Sequence, residues 1–155
     1  MTDPLHNEFL DRLDDSEKFR WIAAMILVSQ GKTVTIPPMT KAKNFADRHN
    51  HSDHGDLFVN GHVIAIKSSS YDWTCREDWP FDKYIVGSVK EIDDLRPLWI
   101  MNFNKAGTHY GRVCAVTSDH WHKENKASAY TNNPAITHDC YVCGLRMVEF
   151  HEVAV

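Results

Sequence analysis

No run of apolar residues in this chain approaches the ~18 needed to cross a bilayer as a helix. The start, Met1-Thr2-Asp3-Pro4, also lacks the basic and apolar stretches of a secretory signal. A cytoplasmic protein is therefore expected, inside the host cell if the source is viral. There is no excess of positive charge either: the formal net charge is −4, so no global field draws a polyanion. That argues mildly against a nonspecific high-affinity DNA binder, although a local cluster of cations suffices for phosphate contacts. No internal repeat, low-complexity tract or linker divides the chain. No Gly-rich phosphate loop, Ser/His/Asp set or dinucleotide fingerprint is present, which removes the commoner enzyme classes. Cysteine is sparse. Cys75, Cys114, Cys140 and Cys143 read as thiols or ligands in a reducing compartment, not as disulfides.

What is present is the composition of one ordinary globular domain over residues 1–155, with 43% hydrophobic and 25% charged residues. A helical pattern runs to Gln30 and stops at Gly31, with Asp3-Pro4 and Asp15-Ser16 as competing starts. Leu10, Leu13, Glu17, Ala24 and Val28 share one face of it, joined by Trp21, so Glu17 sits on an otherwise apolar stripe that is expected to face inward. Strands are expected at Thr33–Ile36, Asp56–Val59, His62–Lys67, Tyr84–Val89, Trp99–Phe103 and Gly111–Thr117. A short helical segment is expected near Glu91–Leu95, another at Ser118–Lys126, and an extended tail from Gly144. Trp73, Trp79 and Phe81 are expected to pack locally. One helix followed by strands and a hairpin predicts an α/β domain, an N-terminal helix on a mixed sheet.

The segment from Gly55 to Ser70 carries the chemistry. Asn60-Gly61 is a strong hairpin signal, because both residues tolerate positive φ and a type I′ turn requires it twice. Alternation then places Ile64 and Ile66 on one face of the second strand and Ala65 and Lys67 on the other, within reach of Asp56 across the hairpin. Hydrolysing a phosphodiester requires a divalent metal, an activated water and a cation near the attacked phosphate. A hard cation is held by one or two carboxylates with waters completing its shell.

At these residues the chain resembles the PD-(D/E)XK nuclease superfamily, the fold of many restriction enzymes, phage nucleases and repair endonucleases. Asp56 stands at the first acidic position and Ile66-Lys67 supply the X-K. Ala65 stands where the family has Asp or Glu. The likeness covers roughly residues 16–117 and implies a restriction-endonuclease-like core with a β-hairpin active site. It implies catalytic roles at Asp56, position 65, Lys67 and Glu17, with magnesium or manganese held by Asp56, Glu17 and the Ile66 carbonyl. It also implies contact of Ser69 or Ser68 with DNA or with a metal-bound water. Three accounts fit Ala65: an engineered substitution of a parental Glu, a carboxylate relocated to another element, or a natural pseudo-nuclease. The first is preferred, since Asp56 and Lys67 otherwise have little reason to persist together. Weak cleavage by this chain is the expectation under any of them.

Lys41, Lys43, Arg48 and His54 crowd the segment before Asp56 and are read as phosphate contacts. Cys140-Tyr-Val-Cys143, with His138 ahead of it, has the spacing of half a zinc site, but lacks a second pair and is read as ordinary thiols. The resulting expectation is a divalent-metal-dependent DNA endonuclease of phage or mobile-element size, homodimeric if it cuts both strands. The alternative is a noncatalytic DNA-binding or protein-interaction module on the same scaffold.

Overall fold

A computed structural model describes residues 4–37, 57–127 and 135–153, with side chains of the first helix described from residue 17 onward. Helix α1 (Pro4–Ser29) is continuous, so the Asp3-Pro4 start prevails and no break occurs at Asp14–Ser16. Its end is closed by Gly31 at φ +81°, and the Lys32 amide returns to the Leu27 carbonyl at 3.1 Å.

Strand β1 (Val34–Thr35) leads into the hairpin of β2 (Leu57–Val59) and β3 (His62–Ser68). The turn residues Asn60 and Gly61 sit at φ 51° and 83°, the left-handed values a two-residue primed turn demands. Leu57 pairs with Ile64 and Val59 with His62. The chain continues through β4 (Lys83–Ser88), α2 (Val89–Leu95), β5 (Trp99–Phe103) and β6 (His109–Cys114). A 3-10 segment, Ala115–His120, precedes β7 (His122–Ala127), and β8 (Thr137–Gly144) and β9 (Glu149–Glu152) complete the order. The helix expected over Ser118–Lys126 is thus mostly a strand. β8, around the cysteine pair, is an element that the sequence did not announce. Both exist because β7 and β8 pair with each other over six residue pairs, a tertiary gain that outweighs the local capping signal at Ser118.

Six strands form one sheet in the order β1-β2-β3-β5-β6-β9, mixed because β3 and β5 run parallel while the other neighbours are antiparallel. A second, antiparallel sheet has the order β4-β8-β7. The first sheet is therefore buried on both faces. On one, α1 lays Phe19, Ala23, Ile26 and Leu27 against Ile64, Ile66, Met101 and Phe103, with the Phe19 and Phe103 rings stacked at 5.7 Å. On the other, Ala65, Ile100 and Val113 meet Tyr84, Val86, Cys143 and Ile92 from the second sheet and α2. The aromatic residues expected to pack locally do so, Trp73 and Trp79 edge to face at 5.0 Å and Trp79 and Phe81 at 6.1 Å. No described helix is long and apolar enough to cross a membrane.

Candidate active site

Position 65 is not a hole. Ala65 is fully buried among Tyr84, Val86, Ile100 and Val113, and β3 is pressed between two layers there. A small residue is what that packing admits, a reason invisible in the hairpin's own sequence. A carboxylate on this Cβ would lie in apolar surroundings.

Two residues further on, the same face reaches the edge of that core. Lys67 is about a quarter exposed, and its ammonium donates to Glu91 Oε1 of α2, whose side chain is similarly half-buried. Glu91 stands in the first turn of α2, where Ser88 caps the helix and its Oγ accepts from the Glu91 amide at 3.1 Å. The sequence Ser88-Val-Lys-Glu91 has the form of a capping box, yet the carboxylate engages Lys67, 24 residues away in the chain. α2 itself is held against the second sheet: Tyr141 donates to Asp93 Oδ1 at 2.7 Å, and Gly87 lies close enough under Ile92 that a Cβ there would meet Ile92 Cδ1 at 3.1 Å.

Across the parallel ladder Lys67 pairs with Asn102, and both stand near the C-terminal ends of their strands, the end at which open α/β sheets hold ligands. Asn102 Oδ1 and the Tyr84 hydroxyl are buried neighbours, and among the described residues neither makes a hydrogen bond of ordinary geometry. Burial pushes the Tyr84 hydroxyl well above the ordinary tyrosine range, and the neighbouring Asn102 amide opposes that shift. Gly111 makes room for the phenol, because a Cβ there would come within 3.0 Å of Tyr84 Oη and 2.9 Å of Val148.

The other expected site residues are placed differently. Glu17 lies on α1, which packs on the Ile64/Ile66 face, so the sheet separates it from the face of Ala65 and Lys67. Its carboxylate is engaged by Arg20 Nη1 at 3.1 Å and by the Trp21 indole at 3.2 Å. Arg20, which the sequence did not single out, is fully buried and also donates to the Pro37 carbonyl at 2.6 Å, tying α1 to the chain after β1. Ser69 accepts from the Trp73 indole at 2.8 Å and donates to the Tyr71 carbonyl at 3.2 Å, so its hydroxyl closes a turn. The Ile66 side chain is in the α1-side core. Asp56, Lys41, Lys43, Arg48 and His54 lie outside the described residues.

Cys140 and Cys143 fall on opposite faces of β8 by strand alternation. Burial raises both thiols, Cys143 to about 11. Among the described residues no three His, Cys, Asp or Glu side chains gather as a metal cage. Glu91 is nonetheless a hard oxygen donor of the kind magnesium takes, one or two per ion, and it is held where the chain presents its lysine. Neither family models, nor curated proteins, nor solved structures contain a match to this chain.

Proposed function

We propose that this chain is a divalent-metal-dependent DNA endonuclease in which Glu91 takes the role of the carboxylate absent at position 65. The observation that carries this reading is the Lys67–Glu91 pair on the β3 face that the hairpin pattern singles out. A carboxylate relocated to a neighbouring helix accounts together for Ala65, for the retained lysine and for the departure of Glu91 from its capping role. Glu91 and Asp56 would hold magnesium or manganese, with Asp56 at the first acidic position of the resemblance. When bound, the ion would stabilise the negative charge that develops on the attacked phosphate.

The remaining steps belong to the chain's own groups. Lys67 places a full positive charge beside the reacting phosphate and can donate a hydrogen bond to the oxygen of the attacking water, orienting it, while the core behind it limits solvent on one side. Its ion pair with Glu91 keeps the ammonium on this face until a phosphate competes for it. A second reading, a noncatalytic DNA-binding module, draws on the same pair seen as self-neutralised.

Nicking of supercoiled plasmid in magnesium or manganese separates the two. Cleavage is expected from the chain as it stands, reduced about 10²-fold or more by Glu91→Gln or Lys67→Ala with the circular dichroism spectrum intact. Full activity of Glu91→Gln would rule out the relocated carboxylate. DNA retention in calcium without cleavage in any metal would establish the noncatalytic module instead.

A further inference from the structure

Asn102 stands in the middle of a row that crosses the six-stranded sheet on the Ala65 face. Its register partners are Lys67 on β3 and Gly111 on β6, each on a backbone about 4.8 Å away. The Tyr84 hydroxyl fills the space over Gly111, where a Cβ would come within 3.0 Å of Oη. Tyr84 is fully buried and Asn102 is 9% exposed, so the carboxamide is enclosed with a phenol on one side and a lysine on the other. Only the N–H end of a carboxamide favours a phenolate, and the Asn102 side chain favours that of Tyr84. Nδ2 therefore faces Tyr84, which leaves Oδ1 on the side of Lys67. That oxygen is buried and makes no hydrogen bond among the described residues. A buried acceptor left in this state is costly and calls for a reason. The layer it borders, with Ile100 and Val113, is apolar, and packing alone does not ask for an amide there.

We propose that Asn102 is a positioning residue for Lys67, its Oδ1 being the acceptor that receives the ammonium when Glu91 releases it. Release by a metal ion rests on the reading of Glu91 as a ligand, whereas the acceptor itself does not. In the structure one N–H of Lys67 is given to Glu91 Oε1. An ammonium carries three donors on a flexible stem, and Asn102 is its ladder partner on the same face. When Glu91 holds a divalent cation, its carboxylate is drawn away from Lys67 and the ammonium is repelled, which frees that donor. Turning it to Oδ1 satisfies a half-buried ammonium and a buried oxygen in one step. Tyr84 fixes the direction of the amide by holding its other end, so the oxygen is already set for the incoming N–H. The lysine then stays at the edge of the sheet with its other donors available to a phosphate, and it no longer competes for the carboxylate.

Heteronuclear NMR of the full chain reads this handover through the side-chain amide of Asn102, without any catalysis. In the absence of metal, Glu91→Gln should move the Asn102 Nδ2–H cross-peaks, because the neutral partner releases Lys67 to Oδ1. In a Lys67→Met background the same change should leave them in place. Calcium added to the parent chain should move the cross-peaks in the same direction, and should not do so with Lys67→Met. Asn102→Ala and Asn102→Leu, one leaving space and one filling it, should both weaken calcium binding about tenfold, followed at the Glu91 backbone amide. In the Lys67→Met background the loss should fall below about twofold, a difference that a merely structural role does not produce. Cross-peaks unmoved by Glu91→Gln overturn the proposal, as does an equal loss of calcium affinity in both backgrounds. Cross-peaks that respond to Glu91→Gln while neither calcium nor magnesium binds would uphold Asn102 as the second acceptor and overturn Glu91 as a metal ligand, and with it the nuclease reading.

Discussion

Ala65 shows how one side chain can be read in opposite ways from its neighbours in sequence and its neighbours in space. Beside Lys67 it reads as a missing carboxylate. Within the core of Tyr84, Val86, Ile100 and Val113 it is the size the packing allows. Ala65→Glu should therefore destabilise the fold by about 3 kcal/mol or more, measured by urea denaturation, because it adds volume and an unpaired charge to a closed site. It should not raise cleavage. A stable Ala65→Glu protein with increased nicking would show that the hairpin face opens to solvent, and would assign the ligand role proposed for Glu91 to position 65. Lys67 was legible in the sequence because strand alternation is local. Its partner was not, since nothing within 20 residues of Lys67 indicates that the first turn of α2 lies over it.

Among the elements, the loop between β3 and β4 gives the clearest electrostatic prediction. Asp78 accepts from the Cys75 amide at 2.8 Å and from the Thr74 amide and hydroxyl at 2.9 and 2.7 Å. These bonds, the Cys75 amide first, hold its carboxyl down to about 2. A folded value below the ordinary carboxylate range of ~3.9 means the contribution is complete above that range and is lost as pH falls through about 2. The Thr74 and Cys75 amide resonances should titrate with that midpoint, and Asp78→Asn should abolish the titration. A midpoint near 4 would mean the turn is not held by this carboxylate. Helix α1 was legible at its C-terminal stop, while its start stayed open between two signals and its orientation was not legible. The stripe through Glu17, Trp21 and Val28 is a real feature of the sequence, yet Trp21 and Val28 face outward. Both sides of the helix there are apolar, so periodicity alone could not say which one meets the sheet. β7 and β8 escaped for a related reason: β7 is polar along its length, His122-Lys-Glu-Asn-Lys-Ala127, and becomes a strand only because β8 lies alongside.

For the molecule as a whole, the six-stranded sheet is the wall shared by two cores, and consecutive residues of β5 feed both. Ile100 belongs to the core under the second sheet and Met101 to the core under α1. Ile100→Ala and Met101→Ala should each cost about 2–5 kcal/mol. Both should shift a single unfolding transition, seen alike by far-ultraviolet circular dichroism and by tryptophan fluorescence. Separate transitions in either variant would mean that the two layers fold independently. The sequence by itself determined the pieces governed by contacts a few residues long: the Asn60-Gly61 turn, the strands β3 and β5, the C-terminal end of α1, and the alternation that sends Lys67 one way and Ile66 the other. Only the tertiary structure decided which face of α1 was buried, why position 65 is small, and that Glu91 rather than Glu17 stands beside the lysine. Those outcomes depend on groups brought together from about 20 or more residues apart, where packing volume and the pairing of buried charge outweigh any local preference.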